Sequence, residues 1–250
     1  MFKRIKSLLA FLTIIPVGMD ENCLTEMANS MFLFPLIGAF IGLSAGFFAR
    51  ILLNIFNPLI VGFLTLGFLL LVTGLHHADG LLDFGDGLMY MGSPEEKIKV
   101  MHDQQTGAGG FGLGLITFTT TALCIASLKQ HIIIQSLIVC EASAKFAMVF
   151  MAWLGKSAHR GLNIYVINAM HGKYRNLRLL SALFITISFA LPLMGIAGLI
   201  PIIASIITAL IIVGVSNRHF KGLTGDVFGA GNELARLSSL LAVVGMNRWV

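Results

Sequence analysis

The chain has 250 residues, of which 56% are hydrophobic and only 12% charged, with 17 Lys and Arg against 12 Asp and Glu. Soluble domains carry about 25% charged residues, and a mean hydropathy of +0.88 leaves too little polar surface to cover a water-exposed exterior. An ordinary soluble domain is excluded, and the composition predicts an all-α fold, a polytopic membrane helical bundle of about six to seven transmembrane helices.

The first stretch, MFKRIKSLLAFLTIIPVG, starts basic and turns apolar as a signal peptide does. It lacks a small-residue cleavage site and stops at Pro16-Val17-Gly18. Lys3, Arg4 and Lys6 ahead of Leu8, Leu9, Phe11 and Leu12 instead predict an amphipathic helix lying at the membrane interface. Apolar runs of spanning length follow at residues 31–49, 58–75, 111–128 and 132–154. Residues 179–217 carry no charge and are too long for one span. Pro192 and Gly195 divide them into about 179–193 and 196–215. Residues 237–247 read as a half-span or a hairpin arm. Cys23, Cys124 and Cys140 are scattered and predict neither a disulfide framework nor a zinc site. With no repeat and no linker, residues 1–250 read as a single domain.

Basic residues orient the spans. With the N-terminus in the cytoplasm, 13 of the 17 fall in inside segments, and Arg50, Lys129, Lys145 and Arg248 do not. A multi-pass protein of the cell membrane is expected, with residues 76–107, 155–178 and 216–236 sharing the cytoplasmic face.

Those three segments hold the motifs. Residues 76–87, HHADGLLDFGDG, place Asp79, Asp83 and Asp86 at i, i+4 and i+7 directly after an uncharged run. On a helix these fall within about 60° of one another. Like charges so close repel, and each costs about 2.5–3.5 kcal/mol if carried to the bilayer centre. A divalent cation would offset both penalties, and all-oxygen ligands favour Mg²⁺ or Mn²⁺ over zinc. A solvated loop, or an ion or proton pathway, are the other readings of the same acids. Ser93-Pro94-Glu95-Glu96 predicts a capped helix start. That helix carries Asp103 close to Gly107, either as a fourth carboxylate or as a cap. KGLTGDVFGAGNE at 221–233 holds Asp226 and Glu233 among four glycines, which is either a second half of the site or a helix entry capped by Thr224 or Asp226. Residues 155–178 are basic, with Arg160 and Lys173 suited to phosphate contact or to membrane anchoring. Glu141 and Lys145, four apart, read as a pair within their own span.

Taken together these stretches resemble the cobalamin synthase family, adenosylcobinamide-GDP ribazoletransferase, over nearly the whole chain. FLTIIPVG at 11–18, FPLIG at 34–38, HADGLLDFGDG at 77–87 and TGDVFGAGNE at 224–233 are similar to four of its motifs in order. The chain departs at MHDQQTG, residues 101–107, where His102 and Gln105 stand at usual arginine positions. The resemblance implies transfer of α-ribazole, or α-ribazole 5′-phosphate, to adenosylcobinamide-GDP with release of GMP, and Mg²⁺ as cofactor. It implies a metal core of Asp79, Asp83 and Asp86 with Asp103 as ligand or base. Asp86 and Asp103 are then the catalytic candidates. His77, as the family histidine, Arg160, Lys173, Asp226 and Glu233 are the substrate-binding ones. Partners are these two substrates and the lipid bilayer, with no nucleic acid; a homo-oligomer is left open. A CDP-alcohol phosphotransferase is a competing class, but its Ala-Arg after the aspartate-glycine pair is missing here. A cation or proton transporter is another, and no inverted repeat supports it.

Overall fold

The computed structural model describes residues 2–17, 23–158 and 161–246. They form α1 (Phe2–Leu12), α2 (Cys23–Asn29), α3 (Phe34–Leu52), α4 (Pro58–Val72), α5 (His76–Met89), α6 (Pro94–Met101), α7 (Ala108–Ala126), α8 (Ile133–Leu154), α9 (Leu162–Met170), α10 (Arg175–Met194), α11 (Leu199–Phe220) and α12 (Gly225–Met246). Among the described residues five helical segments are long and apolar enough to cross a membrane, or six if the bent pair α4–α5 counts as one span. One of the five, Arg175–Phe220, is a run of 46 residues. Gly195, at φ +60°, ends α10 within it, and α10 and α11 are each about 30 Å long. The protein is an all-α polytopic bundle.

α8 is the axis. It is apolar all round and buried along nearly its whole length, with α3, α10, α11 and α12 packed about it. Lipid provides no hydrophobic drive between helices, so close backbone approach must hold them. Gly38, Gly42 and Gly46 of α3 supply it, one per turn on one face. A methyl on Gly38 would stand 2.5 Å from the Glu141 carbonyl oxygen, and one on Gly46 would stand 2.8 Å from Ile134 Cα. The outer faces of the bundle carry Phe184, Ile116 and Ile211, all exposed. In water they would be a liability; in a bilayer they are the expected lipid-facing surface.

α1 turns Leu8 and Leu12 inward and stacks Phe11 on Phe34, while Lys3 and Arg4 stay exposed. Its apolar side is therefore docked on the bundle. Two expectations change. The span foreseen at 58–75 stops at Val72, where the chain bends by 96° into α5. Gly74 and Leu75 both take positive φ there, and Ile14 N–H donates to the Val72 carbonyl left over at the helix end (2.8 Å). The half-span expected at 237–247 is the last part of α12, a continuous helix of 22 residues.

Candidate active site

α5 is short, and its acidic face is set by the expected spacing. What places it is glycine. A methyl on Gly80 would lie 2.9 Å from Asp226 Cα, and Gly229 faces the His77 backbone. α5 and α12 thus pack backbone to backbone, with Asp226 beside Asp79 and Asp83. The charged neighbours bearing on Asp83 are Asp79, Asp226 and Asp86. Asp79 is exposed, and Asp83, Asp86 and Asp226 are half-buried. Thr224 caps α12, its Oγ1 accepting from Val227 N–H (3.2 Å), so Asp226 is not needed for that task. His102, at a usual arginine position of the family, brings Nε2 to 3.9 Å from Asp226 Oδ2.

Asp86 does something the sequence reading missed. Its Oδ2 accepts from Gly107 N–H (2.7 Å) and its Oδ1 from Gly110 N–H (2.8 Å). It caps the first turn of α7 from another helix, satisfying donors that Gly107, which lacks a side chain, cannot serve. A methyl on either glycine would stand 2.6 Å from an Asp86 oxygen. Asp86 is therefore fixed, with both oxygens already engaged, and is the least free of the group to carry a proton away.

The loops around this face are tied together. Leu223 N–H donates to the Lys156 carbonyl (2.8 Å) and Ala158 N–H to the Leu223 carbonyl (2.9 Å). Lys221 Nζ pairs with Glu95 Oε1 at 2.7 Å, and Lys97 Nζ meets His219 Nδ1 at 3.1 Å. So 76–107, 155–158 and 216–226 share one end of the bundle. α6 starts at the predicted Ser93 cap, and the structure completes it as a capping box, with Ser93 N–H donating to Glu96 Oε2 (2.7 Å). The Lys221 bond holds the Glu95 carboxyl below its usual range, and the Ser93 backbone N–H does the same for Glu96.

Other candidates lie elsewhere. Asp103 is exposed on the α6–α7 loop and lines a surface cavity of about 810 Å³ with Tyr90 and Lys99. It is not among the charges bearing on Asp83. His77 is buried under α12, with Lys145 and Arg236 as charged neighbours. Lys173 sits in the α9–α10 turn, 5.8 Å above the Tyr174 ring. Arg160 lies outside the described residues. Glu233 shares a face of α12 with Asp226, about two turns on, but it is fully buried. Its Oε2 accepts from Arg236 Nη1, and Oε1 from Asn232 Nδ2 (3.0 Å). It is turned into the bundle, not onto the acidic face. Nor do Glu141 and Lys145 pair with each other. Glu141 accepts from Arg236 Nε and Nη2 (3.2 Å for the latter), and Lys145 donates to Asn232 Oδ1 (2.6 Å). Each reaches α12.

Among the described residues no three His, Cys, Asp or Glu side chains are gathered closely enough to hold a metal ion. The donor set nevertheless suits one kind of ion. It is all carboxylate, and its members repel each other. Mg²⁺ commonly takes only one or two protein carboxylates and completes its shell with water and substrate phosphate oxygens.

The fold and site define an all-α membrane protein with a glycine-packed carboxylate face at one end of its bundle. Residues 4–244 match the family model described as CobS, cobalamin-5-phosphate synthase. A Methanococcoides burtonii protein named adenosylcobinamide-GDP ribazoletransferase is 34% identical over 96% of this chain and 90% of its own length. A protein of the same name from Methanosarcina mazei is 33% identical over 95% and 90%, and one from Methanocella arvoryzae is 33% identical over 98% and 96%. No solved structure matches the chain. The chain belongs to the cobalamin-5-phosphate synthase family.

Proposed function

We propose that the protein joins α-ribazole, or its 5′-phosphate, to adenosylcobinamide-GDP at the cytoplasmic face of the cell membrane. The ribazole hydroxyl oxygen attacks the cobinamide-side phosphorus, a new P–O bond forms, and the bond to the GMP oxygen breaks. GMP leaves, and the hydroxyl proton passes to a carboxylate. The names of the relatives give the substrates, and the meeting of Asp79, Asp83 and Asp226 across the α5–α12 contact carries the reading for this chain.

One or two of Asp79, Asp83 and Asp226 would hold Mg²⁺, with water and substrate phosphate oxygens completing its shell, Asp86 bordering them and Asp103 available from the loop. The ion would supply charge stabilisation at the pyrophosphate. Asp86 keeps the start of α7 against α5, so the floor of the site does not spread when an anion enters. Of the two catalytic candidates, Asp103 is the one with an unengaged side chain to accept the proton. His102 sits beside Asp226, and when protonated it would contribute a positive charge where arginines are usual in the family. Arg160 and Lys173 are the further phosphate contacts proposed.

The test is GMP release by the purified protein from adenosylcobinamide-GDP, with each acceptor in turn, with Mg²⁺ and with EDTA. Mg²⁺-dependent release with at least one acceptor is expected; release unaffected by EDTA removes the metal from the reading. Single cysteines at Ser93, Asn168 and Lys221, in a cysteine-free background, test sidedness. Labelling of any of them by an impermeant reagent on intact cells contradicts a cytoplasmic site.

A further inference from the structure

A cavity of about 910 Å³ lies away from the aspartates, between α1, α2 and the start of α10. Its polar wall holds Lys3 and Arg4 of α1, Asn29 of α2 and Arg178 of α10, and its apolar wall holds Phe32 and Leu177. Among the described residues Lys3 and Arg4 make no ion pair. Arg178 is built in, with Nη1 donating to the Ala169 carbonyl and Nη2 to Asn29 Oδ1 (2.9 Å). A guanidinium has five donors, so those two bonds fix its position and leave others to face the cavity. Among the described residues Glu26 is the one acid in the lining, and it accepts from Ser7 Oγ at 3.4 Å. Three cations against one acid leave the described lining with a net positive charge, which favours an anion.

Its depth says which anion. Arg178 occupies the first turn of α10. Leu180 and Phe184 follow it, both turned outward and exposed, Phe184 by 73%. From 178 to 184 the helix rises about 9 Å. That spacing suits a lipid phosphate at Arg178 with acyl chain at the level of Phe184. Leu177 shares a face of α10 with Leu180 and Phe184, so the apolar side of the groove is continuous with that belt and offers a surface to a lipid's glycerol and first acyl carbons. A free anion would use the cations and leave the apolar wall without a partner.

We propose that this groove binds the headgroup of one anionic phospholipid, its phosphate on Lys3, Arg4 and Arg178. The basic start of α1 then has a defined ligand, and α1 is clamped between that lipid and the bundle. The residues after α1 run to the α4–α5 bend, where Ile14 N–H bonds the Val72 carbonyl, well apart from the groove's cations.

The experiment uses the full-length protein in detergent, with thermal unfolding and retained lipid as readouts. Phosphatidylglycerol, phosphatidylcholine and inorganic phosphate are added separately. Phosphatidylglycerol is expected to raise the unfolding midpoint, with one molecule retained per chain, and the other two are expected to leave it unchanged. Lys3→Ala with Arg4→Ala removes two exposed cations and no core packing. At about 1 kcal/mol for each cation near an anionic surface, retention should fall about 30-fold, while turnover at the aspartates persists. An equal midpoint shift from phosphatidylcholine overturns the proposal, as does an equal shift from inorganic phosphate. Undiminished retention in the double variant also overturns it. Because lipid retention is read without substrate, failure here is distinct from failure of the transferase reading.

Discussion

Two charged regions share one face of α12, about two turns apart. At the outer end Asp226 meets Asp79 and Asp83, all acids, half-open to solvent and short of cations. Deeper in, Glu233 and Arg236 meet Glu141 and Lys145 of α8, two acids and two bases, fully buried and joined by hydrogen bonds. The deep cluster is balanced and has no use for a ligand. The outer one carries a charge deficit that folding leaves uncorrected, and that deficit is what a metal and a pyrophosphate can use. The same helix thus separates charge that holds the bundle from charge held ready for chemistry.

Removing Arg236 breaks this contrast most severely. Arg236→Met strands Glu141 and Glu233 in the interior, which costs about 3–5 kcal/mol; the expected result is a large fall in the unfolding midpoint, seen without any substrate. Next comes Asp83→Asn. It relieves repulsion, so the midpoint should hold or rise, while GMP release falls about 10²–10³-fold, the scale of losing one electrostatic contact to a transition state. Near-normal turnover at saturating Mg²⁺ would remove Asp83 from the site. Asp226→Asn sharpens the comparison within α12. Thr224 remains as cap and asparagine caps about as well as aspartate, so stability is unchanged and only turnover drops. Gly110→Ala pushes on Asp86. Loss of a cap costs about 0.5–2 kcal/mol, and both stability and turnover should decline together, unlike the two aspartate variants. Smallest is Lys221→Ala, which opens an exposed pair with Glu95. At neutral pH no measurable change in unfolding is expected. Since Glu95 and Glu96 are held below their usual value of 4.5, what they add is present above that value and fades as pH drops through the lowered one.

The sequence made the outer cluster readable because its signal is local. Three aspartates on one helical face, a capped helix start at Ser93 and the Gly225-Asp226 pair that opens α12 each lie within a dozen residues. Glu141 and Arg236 are 95 residues apart, and nothing local links them. Glu141 and Lys145 read as an internal pair because four residues is the nearest helical spacing, yet α12 offers both better partners. The same charges hid α12. Glu233 and Arg236 look too costly for a span, so its apolar part was read as half a helix; burial against α8 removes that cost. The role of Asp86 was hidden for a related reason. The apolar run at 111–128 gives no sign that the helix begins at Ala108 behind a glycine cap, nor which helix would supply the missing acceptor. The glycine stripe of α3 was within reach, since its spacing of four is plain in the sequence.

The Asp86 cap ties together positions that lie 21 and 24 residues apart. Asp86 has its two amides only while 107 and 110 carry no side chain, and those glycines have their purpose only while 86 is an acid. A change at any of the three is felt at the other two. Over generations they can drift only as a set, and homologues that exchange one without the others should pair the exchange with a new way of starting α7.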